Sequence, residues 1–425
     1  MRDFLEKSNF RIRLALGFVA LIFAFDPARA GAPGLPDATD PVAGMGVNIH
    51  FTDPRPGELE MLSHAGFRWV RMDLNWARTE KRAGVYDFSA FDRLMARLDQ
   101  FHLRALFILD YTNPLYDQGK PSCTDAGRRA FANWAVAAVN HFKGRGVIWE
   151  IWNEPNGDWF WRPKANAADY ASLALTVSTA IHDAAPDEIV VGPALSGADM
   201  KFLDVVAGSG VLNFWRAVTI HPYCRAGPET YANVYAPSRA VIQKHLAPGQ
   251  EVTLICGESG YPTTWHGLND VLQGKYLARL FLYDVLDGIP LTIWYDWHDD
   301  GPNPRDSESN FGTVQYEYHA GADPVYAPKP AYAAAKTYAS QLAGTHFVGR
   351  LKCDSPGDYL LSFTGPAGPC IVAWTTAANP HEVSIPLRDG VYQVTGFNGK
   401  KLPPVRALGG SAALTLDAGP RYLKK

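Results

Sequence analysis

From about residue 43 to residue 343 the chain alternates short, β-branched and aromatic apolar runs with longer stretches in which apolar residues recur every three or four positions. The short runs are MGVNIHF (45–51), RWVRMDL (68–74), RALFIL (104–109), GVIWEIW (146–152), EIVVG (188–192), AVTIH (217–221), EVTLICG (251–257) and LTIWYDW (291–297). They predict strands. The stretches 57–65, 88–101, 125–142, 167–184, 200–207, 238–246, 268–287 and 331–342 predict helices. Eight strands, each followed by a helix, define an α/β fold of the (β/α)8 TIM-barrel type. A doubly wound open sheet shares the alternation, but no Gly-rich phosphate loop follows the first strand.

After residue 343 the period changes. DYLLSFTG, PCIVAWTT, HEVSIPL, VYQVTGF and SAALTLD are short alternating runs separated by Gly, Pro, Asn or Asp, which predict a small antiparallel β domain over 344–425, sandwich-like in form. At the other end, Arg11 and Arg13 precede the apolar run Leu14–Phe25, and Ala28-Arg-Ala30 closes it with small residues. Residues 1–30 therefore predict a cleaved export signal, the run being short for a membrane span, with an uncleaved anchor as the alternative. The Gly/Pro-rich residues 31–42 predict a linker. The expected protein is exported, to the periplasm or outside the cell, and acts as a monomer free of the membrane after cleavage.

Composition narrows the chemistry. With 425 residues, 47% of them hydrophobic, the chain can bury a large core. A net charge of -3 gives no basis for a nucleic-acid partner. Twelve Trp, 19 Tyr and 21 Phe exceed what packing alone demands and offer flat surfaces to ligands. Five cysteines cannot all pair within one chain. Cys353 and Cys370 flank two short strand-like runs and form the expected bridge, while Cys256, inside VTLICGE, is expected to be a buried inert thiol.

The stretch VIWEIWNEPN (147–156) sets Glu150, Asn153 and Glu154 in an otherwise apolar run. As the fourth strand of a barrel it places Glu154 at the carboxyl end, where reactive groups gather. By alternation Glu150 lies deeper on the same side, where a carboxylate must be paired. The seventh strand ends in Gly257-Glu258, across the mouth from the fourth, so Glu154 and Glu258 can converge on one bound molecule. Two converging carboxylates suit retaining glycoside hydrolysis, with one attacking the anomeric carbon and the other protonating the leaving oxygen.

WNEP closing the fourth strand and GESGYPT closing the seventh resemble the clan A glycoside hydrolases. RWVRMDLNW, IHPY and WYDWHDDG with NFG look most like family 39 and its bacterial exopolysaccharide-associated relatives. The resemblance implies that Glu154 is the general acid/base and Glu258 the nucleophile. It implies that Asn153 hydrogen-bonds the 2-hydroxyl of the attacked sugar, and that Arg71 and Tyr223 hold the nucleophile ionised. His221 and His50 would line the pocket, and Trp294 would be the floor under the sugar ring. Arg71 could instead pair only with Asp73 or Glu150.

Trp159, Phe160 and Trp161 follow the acid/base, and Trp265 and Trp297 fall in loops after the seventh and eighth strands. Aromatics exposed along a mouth predict several sugar subsites, hence an endo-acting enzyme on a polysaccharide. Mutual packing of those rings would instead close the cleft into a pocket suited to an exo-acting, xylosidase-like enzyme. The same barrel could also serve as a non-catalytic carbohydrate-binding or assembly protein, or as a transglycosylase in which an acceptor sugar replaces water. Asp299, Asp300, Asp306 and Glu308 share one loop but match no metal-ligand spacing. No metal is assigned, and the chemistry requires no cofactor.

Overall fold

The computed structural model describes residues 34–425. The expected export signal and the first three residues of the expected linker lie outside them. Eight parallel strands close a barrel in sequence order. They are β1 (Met45–Asn48), β2 (Trp69–Asn75), β3 (Arg104–Asp110), β4 (Ile148–Ile151), β5 (Ile189–Ser196), β6 (Trp215–His221), β7 (Thr253–Ser259) and β8 (Thr292–Trp294). The ring closes where Gly46 of β1 pairs with Ile293 of β8.

Alternation along each strand sorts side chains into two layers. Leu106, Ile108, Ile148, Val191, Ala217, Ile255 and Ile293 fill the barrel interior, while Trp149, Ile151, Leu254 and Trp294 face the helices outside. The helices begin where the sequence supplies caps. The side chains of Thr124, Asn166, Asp199 and Asn269 each accept backbone N–H groups of the first turn. The helix Asp270–Asp287 ends on Gly288 at φ 73°, a left-handed conformation suited to glycine.

Residues 34–42, expected as a linker, are packed instead. Ala38 and Val42 are buried, the Pro41 carbonyl accepts the Tyr338 hydroxyl and the Thr39 carbonyl accepts the Phe347 N–H. A two-stranded hairpin, Val314–Tyr318 with Tyr326–Pro328, follows β8. It falls in a stretch with no predicted strand.

The C-terminal region holds a six-stranded antiparallel sheet, in the order His346–Arg350, Asp358–Thr364, Cys370–Thr375, Arg421–Lys424, Gly390–Gly396, Lys401–Ala407. A second sheet pairs His381–Pro386 with Ser411–Leu416. The expected Cys353–Cys370 bridge is absent, and all five cysteines are free thiols. Strand pairing explains this. Cys370 lies opposite Phe363 at one end of Asp358–Thr364, whereas Cys353 donates to the Asp358 carbonyl at the other. About five residues at roughly 3.3 Å each separate those ends, beyond the span of any disulfide. Among the described residues no helix is long and apolar enough to cross a membrane.

Candidate active site

Arg71 organises the barrel mouth. It projects inward from β2, is 1% exposed, and its guanidinium forks to four partners. Nε donates to Glu150 Oε2 at 2.7 Å and Nη1 to Glu258 Oε2 at 2.7 Å. Nη1 also reaches Asn48 Oδ1 at 3.3 Å, and Nη2 donates to Asn153 Oδ1 at 2.7 Å. Burial works against its charge, but Glu150 and Glu258 hold it protonated. Pairing with Glu150 therefore does not exclude contact with Glu258, because one planar fork makes both. Glu150 is fully buried and bonded to Arg71.

Glu154 lies past the end of β4. Trp152 and Glu154 adopt φ of 68° and 46°, so the alternation of the strand stops at Ile151. Trp152 turns into the outer aromatic layer rather than sharing the side of Glu150. The loop is tied to β5. Glu154 N–H donates to the Ala194 carbonyl, and the Asn156 side chain exchanges hydrogen bonds with Ser196 N–H and C=O, both 2.9 Å. His221, the last residue of β6, sets Nδ1 2.9 Å from Glu154 Oε1 and 3.9 Å from Glu258 Oε2.

Glu258 accepts the Tyr223 hydroxyl on Oε1 at 2.7 Å and Arg71 on Oε2. A Cβ at the preceding Gly257 would stand 3.2 Å from both Glu150 Oε1 and His221 Nε2. The missing side chain is what lets those two groups approach β7. One ligand atom each from Glu154, His221 and Glu258 lies within 4.8 Å of the others. Burial raises the Glu154 carboxyl above its usual range, while the Ser196 hydroxyl and the Arg71 charge pull it back. Burial lowers His221 to about 4, so its imidazole is neutral near pH 7.

His50 is the outermost of the expected group, with its side chain 38% exposed and Nε2 3.4 Å from Asp296 Oδ2. Burial opposes its charge, yet the hydrogen bond and charge of Asp296 raise it to about 9. Trp294 does not face the mouth. Ile293 points into the barrel, so alternation turns Trp294 outward against Tyr261, centroids 6.3 Å apart, fully buried. The half-buried ring beside the carboxylates is its neighbour Tyr295, which lies 6.5 Å from the Tyr223 ring and 5.5 Å from the His50 ring. Its hydroxyl donates to Glu308 Oε2.

The loop aromatics divide. Trp159 is 79% exposed and Phe160 lies at its side, but Trp161 is buried against Trp152 at 4.9 Å. Trp297 is buried and donates to Glu58 Oε1. The expectation of a row of exposed rings therefore fails for Trp161 and Trp297, because each is drawn into the aromatic layer outside the barrel.

Sequence reasoning also passed over Asn48, Ser196, Tyr295 and Asp296. All stand at or just past the carboxyl end of a barrel strand, which is the positional signal that could have found them.

Among the described residues, two clusters have the spacing of cation ligands. They are Glu154, His221 and Glu258, and His50, Asp296 and Asp300. In the first, Arg71 and Tyr223 already occupy the Glu258 oxygens. In the second, the Asp296 carboxylate already takes His50 Nε2 as its partner at 3.4 Å.

Residues 38–229 match the family model of Cellulase (glycosyl hydrolase family 5). Among solved structures the chain is similar to a family 39 glycoside hydrolase from the gut symbiont Bacteroides cellulosilyticus. That match has 24% identity, a TM-score of 0.77, and covers 91% of this chain and 81% of that one. It is also similar to a family 39 enzyme from Xanthomonas axonopodis pv. citri, with 18% identity, a TM-score of 0.66 and coverage of 93% and 95%. A family 39 beta-xylosidase from Caulobacter crescentus follows, with 19% identity, a TM-score of 0.66 and coverage of 92% and 96%. No curated protein matches the sequence. The likenesses to these structures show a shared fold over most of the chain, and the family match falls on the first part of the barrel.

Proposed function

We propose that the chain is an exported, monomeric β-glycosidase that cuts within a polysaccharide by double displacement with retention. The observation that carries this reading is the approach of Glu154 and Glu258, whose oxygens lie within 4.8 Å across the mouth. Retaining enzymes hold their carboxyl groups about 5–5.5 Å apart, whereas inverting enzymes leave room for a water and stand wider.

Each residue has a distinct part. Glu258, oriented by its hydrogen bonds from Arg71 and Tyr223, attacks the anomeric carbon. Glu154, whose carboxyl burial pushes above the usual range, gives its proton to the departing oxygen. As a carboxylate it then takes a proton from the water that releases the sugar. With its proton on Nδ1, His221 donates to Glu154 in both states, to a carboxylate oxygen when Glu154 is ionised and to its carbonyl oxygen when it is protonated. Asn153 spends its carbonyl on Arg71 and keeps its NH2 to donate to the sugar 2-hydroxyl, a bond that tightens toward the transition state.

Glu258→Ala should abolish turnover on every substrate, since no glycosyl-enzyme can form. Glu154→Ala should retain the first step on aryl glycosides with good leaving groups, and added azide should yield the β-azide. An α-azide, or an inverted sugar as the first product by NMR, would overturn the assignment. Binding of polysaccharides without new reducing ends would favour a carbohydrate-binding protein, and lengthened products a transglycosylase.

The burial of Trp161 and Trp297 favours a second reading, an exo-acting enzyme with a shorter cleft. Product lengths separate the two: oligomers of mixed length indicate internal cuts, and monosaccharide alone indicates end-wise action.

A further inference from the structure

A hollow of about 500 Å³ opens beside the acid/base loop, between that loop and the segment after β3. Its walls combine rings and cations. Trp159 and Phe160 present exposed faces, and Phe160 stacks on Tyr111 with centroids 6.0 Å apart and planes 17° apart. Tyr111 in turn meets the Trp152 ring edge-on at 5.7 Å, beside Asn153 in the chain, which joins the hollow to the catalytic mouth. Lys120 and Arg162 line the same space.

These two cations lack what surface cations usually have. Among the described residues neither has a carboxylate within ion-pair distance, whereas Lys164 of the same loop is paired with Asp158. Asp117, three residues from Lys120, accepts the Thr124 N–H and hydroxyl instead. Arg162 is not loose. Its guanidinium lies over the Trp159 ring at 5.5 Å, and Nε donates to the Trp159 carbonyl at 3.0 Å. That leaves its Nη groups available as a fixed pair of donors.

Resting on the glycosidase reading, we propose that this hollow is a subsite for a negatively charged sugar residue, a uronate or a sulfated unit, next to the sugar that is attacked. Rings on one wall take the apolar face of a pyranose. The guanidinium edge matches a carboxylate or sulfate in two parallel hydrogen bonds, and Lys120 adds a point charge. Two unpaired like charges in one hollow repel each other, and an anion between them relieves that repulsion. On a chain of net charge -3 this is a local positive patch, so it selects among acidic polymers by position and not through general attraction.

The test uses the full chain with Glu258→Gln, which binds without cutting, on an array of neutral, uronate-containing and sulfated tetrasaccharides. Acidic tetrasaccharides should be retained over neutral ones of the same backbone. The double change Lys120→Ala and Arg162→Ala should weaken them by roughly tenfold or more, and leave neutral ones unchanged. The uronate and sulfate arms identify which anion is preferred. The reversed variant Lys120→Glu with Arg162→Glu, of unchanged melting temperature, should abolish the preference. A neutral tetrasaccharide as the best ligand, an acidic one unaffected by either double variant, or no retention of any sugar would overturn the proposal. Turnover by the parent enzyme is scored separately. Retention dependent on Lys120 and Arg162 without any cleavage would remove the glycosidase reading and keep the anionic subsite. Cleavage of neutral chains unaffected by the double variant would do the reverse.

Discussion

At the scale of single residues the site depends on how two carboxylates of the same chemistry are made different. Glu258 accepts hydrogen bonds from a permanent cation and a phenol, while Glu154 faces a neutral imidazole in a dry setting. Removing one donor should therefore hurt the nucleophile without unfolding the barrel. Tyr223→Phe should lower kcat by about ten- to a hundredfold, the equivalent of the roughly 1.5–3 kcal/mol of a hydrogen bond to a charged group. Steady-state kinetics with an aryl glycoside reads this directly. His221 has a pH consequence. It resists protonation down to about 4 in the folded chain, whereas an unfolded histidine takes its proton near 6.5. Between those values the unfolded chain binds more protons, so this residue makes stability fall as pH drops, by about 3 kcal/mol across the window. Thermal unfolding of His221→Asn between pH 7 and pH 4 should show a shallower acid decline than the parent. Glu154 and Glu258 were legible in the sequence as candidates because each terminates an apolar run at a barrel mouth. Their bonds to His221, Arg71 and Tyr223 were not legible by spacing, since those partners come from other strands.

At the scale of elements, strand alternation decides what could be foreseen and where foresight stops. It correctly buries Glu150 inside the barrel, but it cannot be carried past a residue of positive φ. Trp152 and Glu154 both have one, at a cost on the order of 1–3 kcal/mol each that the ties to β5 must offset. Trp294 fails for a related reason. A three-residue β8 places Trp294 on the helix side and Tyr295 by the mouth, and a one-residue offset flips a side chain across the sheet. Gly257 belongs to the same logic. Since a Cβ there would meet Glu150 and His221 at 3.2 Å, Gly257→Ala should force both aside, destabilise the barrel by about 1–3 kcal/mol and displace His221 from Glu154. The expected signature is a lowered melting temperature together with a shifted alkaline limb in the pH profile of kcat/KM. A lowered melting temperature with an unchanged pH profile would separate packing from catalysis and reject the link.

At the scale of the whole molecule, the barrel and the C-terminal sheet share an apolar core and the Lys275–Asp417 pair, and an indole of the sheet also bonds to a buried ion pair of the barrel. Arg279, on the helix before β8, donates to Glu229 Oε1 at 2.8 Å, and both side chains are nearly excluded from water. The Trp374 indole of the C-terminal sheet donates to the same Glu229 oxygen at 2.7 Å. Trp374 stacks on Tyr359 with centroids 4.8 Å apart, and Arg350 covers the other partner ring at 3.9 Å. The two periodicities in the sequence predicted both regions, but nothing in either pattern marks Glu229 as the joint, because it lies in a short 3-10 turn between β6 and the next helix. Breaking a buried pair by removing one member leaves the other charged and unpaired, which costs about 3–5 kcal/mol. Glu229→Ala strands Arg279 and unties Trp374 together, so the barrel and the sheet should no longer unfold as one unit. Calorimetry should resolve a single transition in the parent into two in the variant, with the sheet melting first. Arg279→Met, which removes the positive charge but leaves Glu229 bonded to Trp374, should keep one transition at a lower temperature. If both variants melt in one step by the same amount, the indole bond contributes nothing to the coupling, and the shared apolar core with the Lys275–Asp417 pair holds the two parts together.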